Sequence, residues 1–151
     1  MDSAMNAFDY ISVTHNDGIA TITLDRPDVR NAINDDMRAE LISAFTAADT
    51  DKSVRAIILT GAGKGFCSGG DIGGMRARLD APSGEVAFNG WKRQKSTHKG
   101  VAAIHGVSKP VIAAVNGAAF GLGLDMALSC DFIIAAEGAK MSMSFIKRGL
   151  V

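Results

Sequence analysis

Hydrophobic and polar positions alternate early in this chain. In Ile19–Leu24, Ala20, Ile22 and Leu24 alternate with Thr21 and Thr23, a period of two that predicts a half-buried strand. Tyr10–Thr14 is a second strand-like run. Between them, "HNDG" supplies turn chemistry, with Gly18 free to take positive φ. A β-hairpin is predicted, with His15 in its turn. From Asn34 to Ala48 the period changes. Met37, Leu41, Phe45 and Ala48 recur at helical spacing, and Asn34 or Asp35 can cap the start. Val54–Thr60 is apolar except for Arg55, which predicts a strand in a sheet covered on both faces.

After Val54–Thr60 comes a glycine-rich stretch, "GAGKGFCSGGDI", Gly61–Ile72. Polar residues dominate from Arg76 to Lys99, interrupted by the breaker Pro82-Ser83-Gly84. Trp91–Ile104 is predicted to be a helix, with Lys92–Lys95 on its solvated face. "KPVIAAV" is the next strand, ended by Asn116 and Gly117. "AAFGLGLDMALSC" is a second glycine loop entering a helix, and "DFIIAA" a further strand. In "KMSMSF", Met141 and Met143 alternate with Ser142 and Ser144, as in a short strand packed on one face. Strand, glycine loop and helix thus occur twice. The chain is α/β.

Composition narrows the function. The 151 residues suit one domain, and 47% hydrophobic against 21% charged residues permits a packed core. Lys+Arg and Asp+Glu number 16 each, so no overall positive field draws the chain to nucleic acid or an anionic membrane. Two cysteines are too few for a disulfide scaffold. No basic-then-apolar leader and no apolar run of about 18 residues is present, so a cytoplasmic location is expected. No His/Cys/Asp cluster has metal-ligand spacing. The chain stops at "SFIKRGLV" with two apolar residues, as expected of a fragment of a longer protein.

Three chemistries can use glycine loops. A P-loop needs G-x-x-x-x-G-K-[ST], but Gly65 follows Lys64. The dinucleotide fingerprint meets Phe66 where it needs glycine. "GFCSG" fits a cysteine nucleophile elbow, with His98 or His105 as partner. An elbow, however, joins strand directly to helix, and here Gly61–Lys64 intervene. Cys67 then reads as a small, half-buried residue. The third chemistry is an oxyanion hole, in which backbone N–H groups from two segments converge on one oxygen. It uses both loops at once, and small residues there let substrate touch backbone.

These segments carry a family resemblance. "KGFCSGGDI" and "KPVIAAVNGAAFGLGLDMALSCD" resemble the two signature segments of the enoyl-CoA hydratase/isomerase (crotonase) family. "TLDRPDVRNAIN" and "VRAIILTG" are similar to its N-terminal segment and the strand that follows. The resemblance implies a spiral of ββα units over residues 1–151 as one core domain, cut before the C-terminal trimerisation helices. It implies a coenzyme A thioester as substrate, no permanently bound cofactor, and a homotrimer or dimer of trimers when full length. Gly70 and Leu122 match the two oxyanion-hole amides. Arg30, Ala32, Ser68, Asp71, Ile72 and Gly121 match substrate-contacting positions. Asp71 has a plain alternative as the N-cap of "IGGMRARL". Asp125 matches one acid/base of the family's hydratases. Phe145 stands where their second acid falls. The implied activity is therefore isomerisation or related proton transfer ahead of hydration. A non-catalytic acyl-CoA-binding protein is the alternative.

Overall fold

The computed structural model describes residues 8–82 and 84–149. In chain order the elements are β1 (Ile11–Asn16), β2 (Ile19–Leu24), α1 (Asp35–Thr50), β3 (Ala56–Gly61), β4 (Gly65–Cys67), α2 (Ile72–Leu79) and α3 (Glu85–His105). They continue with β5 (Val111–Val115), β6 (Ala118–Phe120), α4 (Leu122–Leu128), β7 (Phe132–Ala135) and β8 (Met141–Ser142).

Two sheets form. The larger has the order β1-β2-β3-β5-β7, antiparallel between β1 and β2 and parallel elsewhere. The smaller is parallel, in the order β4-β6-β8. Each successive turn of chain lays one strand in each sheet: β3 then β4, β5 then β6, β7 then β8. This is the spiral of ββα units that the resemblance implied. The strand–glycine loop–helix echo is its repeat.

The hairpin forms for a local reason. Asp17 and Gly18 both take positive φ, 48° and 80°, as a two-residue turn matched to strand twist requires. Asn16 then pairs with Ile19 and His15 with Ala20. His15 is therefore a strand residue, not a turn residue, and β1 runs two residues past Thr14.

α1 begins where its cap predicts. Asn34 Oδ1 accepts the Met37 N–H at 2.8 Å. Met37, Leu41, Phe45 and Ala48 are buried together with Ile22, Leu24, Ile57 and Leu59 of the large sheet. In β3 alternate residues are buried and the others half-buried, so one face is fully covered and the other only in part. β7 departs further. All four of its residues are exposed, so neither of its faces is covered among the described residues. Met141 and Met143 are exposed and Ser142 and Ser144 half-buried, the reverse of the expected packing.

α3 starts six residues earlier than the apolar pattern suggested. Its first turns are held from the solvent side. Phe88 stacks on Trp91 at 5.9 Å, and Lys92 and Lys95 lie over their rings at 4.9 and 5.7 Å. These i,i+3 and i,i+4 pairs stabilise a helix whose apolar stripe is thin.

One buried side chain ties the start of the spiral together. Asn31 is fully buried with φ 55°. Its Nδ2 donates to the carbonyls of Ala62, Gly65 and Phe66 at 2.9–3.1 Å, and its Oδ1 accepts the Arg26 N–H at 2.9 Å. Asparagine tolerates this left-handed backbone better than most residues. We expect Asn31→Ala to lower stability by about 2–4 kcal/mol, since it orphans buried carbonyls and strains φ. Urea unfolding checks this, and an unchanged midpoint would contradict the anchoring role.

Candidate active site

The first loop leaves β4 and is stitched to the segment before α1. Ser68 N–H donates to Arg30 O at 3.0 Å, Ile33 N–H to Gly69 O at 2.8 Å, and Asp71 N–H to Ile33 O at 2.9 Å. Ile33 thereby forms a parallel bridge with Gly70. In such a bridge Ile33 bonds to the neighbours of Gly70, so the N–H of Gly70 itself points the other way.

The second loop leaves β6 through Gly121, at φ 50° and ψ −122°, and enters α4 at Leu122. Gly121 donates its N–H to Ser142 O at 2.9 Å, which holds β8 in place. Leu122 is the first residue of α4, where an N–H has no intrahelical acceptor. Among the described residues, neither the Gly70 nor the Leu122 N–H has a protein acceptor.

The glycines bring these loops together. A Cβ on Gly69 would stand 2.8 Å from Phe120 O and 3.6 Å from Leu122 N. One on Gly123 would stand 2.4 Å from Cys67 O, and one on Gly117 2.2 Å from Lys64 O. Small residues were expected so that substrate can touch backbone. The structure adds a different reason: at Gly69, Gly117 and Gly123 it is the protein's own backbone that comes close. Asn116 reinforces the seam, with Nδ2 donating to Gly61 O at 2.8 Å and Gly63 O at 3.1 Å.

Two clefts meet at Gly70. One, of about 770 Å³, is lined by Gly70, Leu122, Asp125 and Phe145, with one face of α3 as the facing wall. The other, of about 720 Å³, is lined by Arg30, Ala32, Ser68, Gly70, Asp71 and Ile72. The residues singled out in the sequence thus gather along one continuous groove, except Gly121, which lines neither cleft and turns the chain beneath it.

Electrostatics separate the two aspartates. Asp71 Oδ2 pairs with Arg26 Nη1 at 2.8 Å, and its Oδ1 accepts the Gly73 N–H at 2.8 Å. The Arg26 hydrogen bond, with the amides of Gly73 and Gly74, holds its carboxyl below the ordinary range despite some desolvation. It is the N-cap of α2. Asp125 is half-buried, and desolvation raises its carboxyl above the ordinary value. Among the residues lining its cleft it is the one carboxylate.

Cys67 is not half-buried but fully buried, and desolvation pushes its thiol up to about 12. Its Sγ donates to Asn31 O at 3.1 Å. A thiol so placed is not ionised near neutrality, which removes the basis of a cysteine nucleophile. Among the described residues no three of His, Cys, Asp and Glu gather as a metal site.

The α3 wall was missed. Gln94, His98, Val101 and His105 share the cleft side of the helix, with half-buried Arg93 beside them. Lys92, Gln94 and Lys95 are exposed as expected of a solvated run, and Arg93 is not. The spacing of four, three and four was a readable signal. Arg26 and Asn31 were missed because each acts on residues more than thirty positions away as well as locally.

Two glycine substitutions test the packing. Gly123→Ala meets the Cys67 backbone and is expected to cost roughly 1–3 kcal/mol or more. Gly90→Ala, in the exposed middle of α3 with nothing near its Cβ, is expected to gain about 0.4–1 kcal/mol. Denaturant midpoints moving alike in both variants would contradict this.

Asp125 makes a pH prediction. A carboxyl whose folded value is raised binds its proton more tightly in the folded state. Its contribution to stability is therefore present at low pH and falls as pH rises through that window. Asp125→Asn should accordingly be stabilising relative to the wild type at about pH 7, with the advantage shrinking toward about pH 4. Unfolding curves at both pH values measure the difference, and a constant offset would contradict it.

Comparison with known proteins agrees with this geometry. The family model described as Enoyl-CoA hydratase/isomerase matches residues 14–151. The chain is 40% identical over 134 residues to a 1,2-epoxyphenylacetyl-CoA isomerase of Escherichia coli (strain K12), covering 89% of this chain and 50% of that protein. It is 39% identical over 156 residues to the enoyl-CoA hydratase ACTT3 of Alternaria alternata, covering 97% and 50%. An enoyl-CoA hydratase structure from Polaromonas sp. JS666 superposes with a TM-score of 0.81 at 36% identity, covering 93% of this chain and 53% of that one. The chain spans about half the length of these relatives. A match over nearly the whole chain, repeated in sequence and in the path of the backbone, establishes that the chain belongs to the enoyl-CoA hydratase/isomerase family.

Proposed function

We propose that the protein acts on a coenzyme A thioester, and that the groove meeting at Gly70 is where it binds. The observation that carries this reading is that two outward amides, one desolvated carboxylate and an aromatic ring line a single cleft. The thioester carbonyl accepts hydrogen bonds from the N–H groups of Gly70 and Leu122. The carrier lies along Arg30, Ala32, Ser68, Asp71 and Ile72, where Arg30 offers a cation to phosphate.

The chemistry follows from where charge develops. Asp125 removes a proton from a carbon conjugated with the carbonyl, and negative charge builds on the carbonyl oxygen. Each oriented amide lowers that barrier by roughly 3–4 kcal/mol. Asp125 then returns the proton to a different carbon, and a double bond has moved. The raised carboxyl makes Asp125 a stronger base than an exposed aspartate, which suits a carbon acid.

Isomerisation is favoured over hydration because adding water normally uses two acids to hold and activate it. Phe145 lines the cleft and offers a ring that excludes water. The names of the relatives, an epoxyphenylacetyl-CoA isomerase in Escherichia coli and an enoyl-CoA hydratase in Alternaria alternata, fall on both sides of this choice, so Phe145 carries it. In this reading residues 1–151 form one core unit of a longer, cytoplasmic homotrimer or dimer of trimers, and no cofactor is held between turnovers.

Asp125→Asn keeps the shape and removes the base. In deuterated water, exchange at the substrate's α or γ carbon should fall by roughly 10²–10⁴-fold while thioester binding persists. Hydration of a crotonyl-type thioester should be slow even in the wild type. Exchange that survives the substitution, or efficient hydration with Phe145 in place, would overturn the assignment.

A further inference from the structure

The cleft that holds Asp125 has one wall of unusual chemistry for a purely hydrocarbon guest. It is the face of α3 bearing Arg93, Gln94, Thr97, His98 and His105, with Val101 and Ala102 as its apolar members. Gln94 to His105 spans eleven residues of helix, about 16 Å. That is longer than the reacting end of an acyl chain, so the polar wall reaches beyond the carbons that Asp125 serves. Gln94 Nε2 lies 3.0 Å from His98 Nε2. Whichever partner donates in this contact, His98 keeps Nδ1, its second ring nitrogen, for a guest in the cleft, and Thr97 offers a hydroxyl. Phe145 lines the same cleft with an apolar ring.

A hydrocarbon chain would cover this wall without replacing the hydrogen bonds its donors make to water. An acyl group with one apolar side and one oxygen-bearing side would satisfy both walls. We infer that the acyl group taken by this cleft carries a hydrogen-bond-accepting oxygen, hydroxyl or carboxylate, beyond the carbons next to the thioester, and that His98 and Thr97 on α3 receive it. This deepens the proposed function and rests on the coenzyme A thioester reading.

The test is equilibrium binding of three saturated thioesters of equal chain length to the whole protein: hexanoyl-CoA, 6-hydroxyhexanoyl-CoA and the monothioester of adipic acid. None has a double bond to move, so binding is read apart from turnover. At least one oxygenated thioester should bind roughly tenfold more tightly than hexanoyl-CoA. In the Thr97→Val/His98→Leu variant that ratio should fall to about one, because the donors are gone. The single variants His98→Gln and Thr97→Ser, which keep a donor, should retain a preference. Tighter binding of the hydroxyl compound identifies a neutral acceptor, and tighter binding of the carboxylate identifies an anion. Either supports the inference. Hexanoyl-CoA binding as tightly as both oxygenated compounds, or a preference that survives the double variant, would overturn it while leaving the thioester reading intact. If no thioester binds more tightly than free coenzyme A, both readings fail together.

Discussion

There is no room for a Cβ where the two glycine loops cross. The would-be Cβ atoms of Gly69, Gly117 and Gly123 fall 2.2–2.8 Å from carbonyl oxygens of the opposite loop. Everything at the candidate site depends on this approach. It sets α4 directly on β4, and it brings Leu122 to the loop that carries Gly70. It lets β4 and β6 pair although they are only three residues long each. A side chain at any of these glycines would push the amides apart before it touched a ligand. The loops are bare mainly because the protein packs against itself there.

Close approach of backbone leaves polar groups to be satisfied, and a few side chains do this at long range. Asn31 fills three carbonyls, one in the turn between β3 and β4 and two at the start of β4. Asn116 does the same from the other side of the seam. Arg26 joins Asp71 and also lies over the Tyr10 ring at 5.5 Å. These contacts hold the segment Arg26–Ile33 against the first loop, and that contact aligns Arg30 and Ala32 with Ser68, Asp71 and Ile72. The groove is thus a by-product of hydrogen-bond completion around a tight crossing.

The two aspartates illustrate how position rather than residue type assigns a role. Asp71 is satisfied by a guanidinium and two amides, so its charge is stabilised and employed in structure. Asp125 lies in a cleft with desolvation as its dominant influence, so its proton is held more tightly. A carboxylate poorly solvated in the folded state costs stability and gains basicity. In the proposed function, that exchange suits a group that must take up a proton from carbon.

Much of this was legible in the sequence. The alternation in Ile19–Leu24, the helical period from Met37 to Ala48 and the capping Asn34 each specify an element through local sterics and burial. The two glycine segments, by their likeness to a known family, pointed to Gly70, Leu122 and Asp125 and to the turn-by-turn spiral. What the sequence could not show is where chemistry with no local period ends up. Asn31 looks like one more polar loop residue until the turn between β3 and β4 closes over it. Cys67 reads as a half-buried residue in "GFCSG", and its complete burial is visible only once β4 is packed. His98 and His105, candidate partners of Cys67 in the sequence, instead line the cleft of Asp125 once α3 is laid along it. Residue type and periodicity determine which segments fold and which face is apolar. Which distant groups then share a surface is decided only when the two sheets stack and the loops cross, because those contacts depend on packing rather than on neighbours in the chain.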